Sequence, residues 1–160
     1  MDRWVNFAIV AGGASAAFVG LLFVSVSIRA DAIAHSPSLR ARLAQVLTIF
    51  LGILISCVLI TLPNPADWVV GAELLATSAA MSASLIFLGR RAVRNRDSDP
   101  LERTLDRLNP NVTTAVLIGL SGVALLFGIE SGLFLLSLAV IVGFVGGGLG
   151  AWLVLVRPNG

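Results

Sequence analysis

Five uninterrupted apolar runs constrain this chain more than any other feature: Val5–Ile28, Leu43–Leu62, Trp68–Leu88, Val112–Ile129 and Leu133–Val156. As helices rising 1.5 Å per residue, each is long enough to cross a hydrocarbon core of about 30 Å, the fourth being the shortest. The runs are continuous rather than alternating, which favours membrane spans over a water-soluble core. Charged residues make up only 12% of the chain, roughly half the usual share of about 25%, and the mean hydropathy is +0.95. At 160 residues the chain has room for one domain of ordinary size. The expected fold is therefore all-α: residues 1–160 form a single bundle of five transmembrane helices with one short amphipathic surface helix.

The boundaries of the runs carry helix signals. Val112–Val156 as one helix would reach about 67 Å, so the chain is expected to turn at Glu130-Ser131-Gly132, with glycine suited to a C-cap. Ser36-Pro37, Asn64-Pro65, Asp99-Pro100 and Asn109-Pro110 each pair an N-cap residue with proline at the first helical position. Residues 89–111 form the longest connection. Within it Leu101, Leu105 and Leu108 recur at helical spacing, as in a helix lying on a membrane surface. The first run resembles a signal peptide at Ala14-Ser15-Ala16. However, Asp2-Arg3 gives no basic leader and the run continues to Ile28, so a retained helix is expected.

Arginines set the orientation. The chain has no lysine; Arg29, Arg40 and Arg42 flank the first connection, Arg90, Arg91, Arg94, Arg96, Arg103 and Arg107 lie in the third, and Arg157 follows the last run. Five spans gather all of these on one face and leave Arg3 alone on the other. The positive-inside rule then predicts a plasma-membrane protein with its N-terminus outside and its C-terminus cytoplasmic.

The same inventory excludes much chemistry. Without lysine there is no Schiff base and no phosphate-loop lysine. One cysteine, Cys57, and one histidine, His35, supply neither a disulfide nor a multi-His metal site. His35 sits among residues that read as loop, so no Ser-His-Asp triad is suggested. No catalytic constellation, metal or cofactor is expected. The acidic residues of the arginine-rich connection leave little support for nucleic-acid binding, and attraction to anionic lipid headgroups is the better reading.

In lipid, helices associate where small residues let backbones approach. The first run offers Ala8, Gly12, Ala16 and Gly20; the third Ala72, Ala76, Ala80 and Ser84; the fifth Gly143, Gly147 and Ala151. These three helices are expected to form the packed centre. The second run, rich in Leu and Ile, reads as lipid-facing except for a polar stripe of Thr48, Gly52 and Ser56. The Gly143–Gly147 pair suits self-association or packing within one monomer, and the second is the expected use because the monomer has enough partner helices to cover it.

Glu73 is the one acidic or basic residue inside a run. A charge at mid-span costs of order 2.5–3.5 kcal/mol, which makes such a residue a functional candidate. Counted from Pro65 it lies about 12 Å into its helix. Ser15, Ser56 and Ser121 fall at a similar depth, and Thr77 and Ser84 share its helix face. These residues are expected to form a polar layer around Glu73, with either a structural role or a role in moving a proton or small ion. Asp67, Trp68 and Glu130 read as outer-surface residues, and Trp4, Trp68 and Trp152 as interface anchors.

The segments Phe7, Gly12-Gly13-Ala14-Ser15-Ala16-Ala17 and Gly20–Ile28, with Gly146-Gly147-Gly148 to Trp152–Val156, resemble the first and last helices of small actinobacterial membrane proteins. Some of those are labelled "modulator of FtsH protease". The resemblance covers about a third of the chain, excludes the middle with Glu73, and carries over no functional residue. It implies a regulatory partner rather than catalysis. The expected function is a non-enzymatic regulatory or assembly subunit acting through helix–helix contacts with lipid, itself or another membrane protein. The alternative is an oligomeric ion channel or proton-coupled transporter using Glu73. Against that alternative, the runs show no inverted repeat and no helix broken at the midplane.

Overall fold

A computed structural model of the chain describes residues 2–28, 30–62, 66–93 and 110–156, and among them the regular structure is helical throughout. The helices are α1 (Asp2–Ile28), α2 (Ala30–His35), α3 (Pro37–Ile60), α4 (Asp67–Val93), α5 (Pro110–Leu126) and α6 (Gly132–Val156). Four contain segments long and apolar enough to cross a membrane: Trp4–Ile28, Leu39–Ile60, Asp67–Gly89 and Gly132–Trp152. That fits a multi-pass membrane protein. The fifth apolar helix, α5, has only 17 residues, about 25 Å.

The shortness of α5 traces to one turn. Gly128 adopts φ 72°, a conformation glycine reaches without a Cβ penalty. Around it Ile129 N–H donates to the Ala124 carbonyl at 2.9 Å, and Gly128 N–H donates to Leu125 at 2.9 Å. This is the paired bonding of a Schellman cap. The helix therefore stops at Leu126, ahead of the expected Glu130–Gly132 turn, and Gly132 opens α6 instead.

Two other boundaries shift. Ser36 caps α3 as expected, its side chain accepting from Leu39 N–H with Pro37 in the first turn. Because helix starts there, Arg40 and Arg42 lie within α3 rather than in a loop. The preceding segment, read as loop from its sequence, forms the short helix α2, where His35 Nδ1 lies 2.7 Å from the Asp31 carbonyl oxygen. Helix α4 runs from Asp67 through Arg90 and Arg91 to Val93. The surface helix expected over Asp99–Leu108, with the pair Asp99-Pro100, and the pair Asn64-Pro65 lie outside the described residues.

The second apolar run is the hub of the bundle, not its lipid-facing member. Helix α3 packs against α1, α4, α5 and α6. Ile49, Phe50, Ile53, Cys57 and Ile60 along it are all buried. The physical reason is that large α3 side chains fill spaces left by small residues on neighbouring helices. A Cβ on Gly143 would meet Ile53 and Ile49, one on Gly147 would meet the Phe50 ring, one on Gly150 would meet Val46, and one on Gly12 would meet Cys57. Gly143 and Gly147 are thus committed to packing inside the monomer. Phe18, Phe50 and Phe144 join α1, α3 and α6, with the Phe18 and Phe50 rings stacked at 4.9 Å. Trp4 is an internal contact rather than a free anchor, edge-on to Phe134 at 4.9 Å and to Phe7 at 5.9 Å. Trp68 and Trp152 are exposed.

Helices α4 and α5 make the closest crossing. A Cβ on Gly71 would lie 2.8 Å from the Gly122 carbonyl oxygen, and one on Gly122 would lie 2.8 Å from that of Gly71. Further along, Ser78 Oγ donates to the Ala115 carbonyl at 2.7 Å. Since Gly71 pairs with Gly122 and Ser78 with Ala115, the two helices are antiparallel. Pro110 beside Gly146 and Ala124 beside Gly132 show the same for α5 and α6.

Candidate functional site

Glu73 sits six residues into α4, about 9 Å from its start, on the border between the face that packs on α3 and the face turned outward. It is half-buried. Its Oε2 is sealed from solvent and has no hydrogen-bond partner among the described residues. A buried acceptor left unmade is costly, and among the described residues this atom shares that state with Ser121 Oγ.

The neighbouring hydroxyls divide into two groups. Met81 occupies the space a Cβ on Gly52 would need, which fixes the register of α3 against α4. One turn on, that register puts Ser56 opposite Thr77, and a further turn puts Ile60 opposite Glu73. Ser56, Thr77 and Glu73 therefore share one seam. Ser15 lies on the α1–α3 seam, where its Oγ donates to the Phe50 carbonyl at 2.6 Å. Ser121 lies on the α5–α6 side, its carbonyl facing Gly132. The residues at one depth are thus spread over three seams rather than gathered around the carboxyl, because depth alone does not specify which side of a helix a residue faces.

The hydroxyls on the shared seam are also engaged elsewhere. Ser56 Oγ donates to Gly52 at 2.8 Å and Thr77 Oγ1 to the Glu73 backbone carbonyl at 2.9 Å. Such back-bonding to the preceding turn is the common fate of Ser and Thr inside apolar helices. Ser121 Oγ is fully buried and lacks a partner among the described residues. Ser84 is exposed.

The small-residue stripes sort by facing. Ala8, Gly12 and Ser15 are buried, with Ala11 beside them, whereas Ala16 and Gly20 are exposed and nothing lies within 4 Å of a Cβ on Gly20. Steps of four residues advance 400°, so such a stripe drifts about 40° per step off a fixed face. The buried α1 face instead follows Ala8, Ala11, Ser15 and Leu22. On α4, Ala72, Ala76, Ala80 and Ser84 all point outward. Packing to α3 and α5 uses Val70, Gly71, Leu74, Ser78 and Met81. The expectation that α1, α4 and α6 form the centre through these stripes therefore holds for Gly143 and Gly147 of α6, which are buried against α3, and is corrected for α4 and for Ala16 and Gly20 of α1.

Ser78 and the Gly71–Gly122 crossing were not singled out from sequence. The seven-residue step from Gly71 to Ser78, matched by Ala115 and Gly122 on α5, was the available signal. Among the described residues no three His, Cys, Asp or Glu side chains group as metal ligands. No protein-family model, no curated protein and no solved structure matches this chain.

Proposed function

We propose that this chain is a five-span plasma-membrane protein, non-enzymatic, acting as a small regulatory or assembly subunit through helix–helix contacts. One observation carries the reading: two helices turn small-residue faces outward, away from the rest of the monomer. Helix α1 exposes Gly13, Ala16, Ala17 and Gly20, and α4 exposes Ala72, Ala76, Ala80 and Ser84. Small residues permit close approach between membrane helices, and here that capacity is left unused inside the monomer. The resemblance of the first and last helices to proteins labelled "modulator of FtsH protease" agrees with a regulatory partner. Photo-crosslinkers placed at Ala17 and Ala76 in native membranes test it. Discrete protein adducts at both sites are expected, while adducts to lipid alone would overturn the reading.

The sealed, unpartnered Glu73 Oε2 favours a second reading, an oligomeric ion channel or proton-coupled transporter. Purified protein in liposomes is expected to give no proton or ion flux. Flux that disappears in Glu73→Gln would put the transport reading first.

A further inference from the structure

We propose that the seam where the start of α3 meets the end of α4 binds one anionic glycerophospholipid, its phosphate between Arg40 and Arg91 and an acyl chain along the seam. The inference depends on neither the subunit nor the transport reading. It begins with register. Met81 occupies the space a Cβ on Gly52 would need, and the two helices run in opposite directions from that contact. Arg40 lies twelve residues before Gly52 and Arg91 ten residues after Met81, which brings them to levels about 3 Å apart. Side follows from the helical turn of about 100° per residue. On α3, half-buried Ala44 and Thr48 lie along the lipid-facing edge of the contact, with exposed Arg40 one turn beyond. On α4, exposed Ala80 and Ser84 line the facing edge, and residue 91 falls two turns past Ser84. The opposite edges are taken: Ile49 and Ile53 of α3 lie against Gly143, and Ser78 of α4 bonds to α5.

Three observations make the occupant a phospholipid. The first is depth. The apolar spans begin at Leu39 in α3 and end at Gly89 in α4, so both arginines stand at the boundary where headgroup phosphates lie. The second is charge. Helix α3 has no acidic residue in its first turn, although a helix start favours anions and Arg40 adds positive charge beside it. Arg42 and Arg90 stand at the same end, and Asp31 of α2 is the one acidic residue there among the described residues. The missing complement is an anion from outside the chain, and arginine's planar set of donors suits phosphate. The third is shape. Ala44, Ala80 and Ser84 leave a shallow trough below the arginines, with exposed Leu51 and Phe87 on its flanks. A soluble anion uses the arginines alone, whereas the trough gives an acyl chain room beside them.

The full chain in a neutral detergent is titrated with phosphatidylglycerol or phosphatidylcholine, and bound lipid is counted by native mass spectrometry. One phosphatidylglycerol per chain is expected to bind about tenfold more tightly than phosphatidylcholine, the preference that two arginines give an anionic headgroup. The double variant Arg40→Gln, Arg91→Gln is expected to erase that preference, and Arg40→Lys, Arg91→Lys to keep most of it. Arg103→Gln with Arg107→Gln removes the same charge from the connection and is expected to leave the preference intact. Ser84→Leu, on an exposed position, fills the trough while keeping both arginines and is expected to weaken lipid binding several-fold. Equal affinity for the two lipids in wild type overturns the proposal. So does an equal loss in the two glutamine pairs, which would show diffuse attraction to the whole basic end. Inorganic phosphate at millimolar concentration is expected not to displace the lipid; displacement would make a free anion the ligand and overturn the lipid assignment.

Discussion

At the scale of single residues, glycines that look alike in sequence carry opposite tolerances. Gly122 faces backbone: a Cβ there would lie 2.8 Å from the Gly71 carbonyl oxygen and 3.0 Å from Leu75 N. Backbone atoms cannot rotate aside, so Gly122→Ala must push α4 and α5 apart. Overpacking of this kind costs about 1–3 kcal/mol, and a drop in thermal stability in detergent is the expected result. Gly20→Ala meets nothing within 4 Å and is expected to leave stability unchanged or slightly raised, since alanine is the better helix former. The serines divide similarly. Ser78→Ala removes the hydroxyl that donates to the Ala115 carbonyl, and Ser15→Ala the one that donates to Phe50. Hydrogen bonds between membrane helices average about 0.6 kcal/mol, so each loss should be small but measurable by unfolding in mixed micelles. Ser84→Ala, on an exposed position, should match wild type.

At the scale of elements, the α5–α6 connection shows how a boundary is decided by turn chemistry rather than by hydropathy. Phe127 and Ile129 are apolar and extend the run, yet the helix ends at Leu126 because Gly128 takes the left-handed conformation and satisfies the last carbonyls. Gly128→Val forces a β-branched side chain to φ 72° and is expected to cost about 1–2 kcal/mol. Thermal unfolding would read the loss, and unchanged stability would show that the turn relaxes freely. Apolar run length made the helices legible in the sequence, and Ser36-Pro37 placed one start correctly. Facing was less legible. The leucine- and isoleucine-rich second run suggested lipid exposure, but its large side chains are what the glycines of α1 and α6 receive. Four-residue spacing grouped Ala16 and Gly20 with Gly12, while the real face alternates steps of three and four. Glu73 was legible as an isolated acid. Its seam was not, because which hydroxyls share a side with it depends on the Gly52–Met81 register between two helices.

At the scale of the whole molecule, the question is whether α5 counts as a crossing. It runs antiparallel to both α4 and α6, so it returns the chain to the end where α6 begins. Yet it starts beside Gly146, and α6 runs on to Val156, about 15 Å further. A short apolar helix is accommodated by local thinning of the bilayer or by flanking residues that reach the interface. The five-span proposal rests instead on its path, antiparallel to both α4 and α6. With α1, α3, α4, α5 and α6 alternating in direction, Arg40, Arg42, Arg90 and Arg91 share the end where α1 finishes, and Arg3 stands at the other. Positive charge concentrated on one side is what sets orientation. If α5 did not cross, the number of crossings would be even and both termini would face the same compartment. Paired reporters decide this by parity: an N-terminal tag accessible from outside intact cells together with a C-terminal reporter active only in the cytoplasm is the expected outcome. Both termini on one side would remove α5 from the spans.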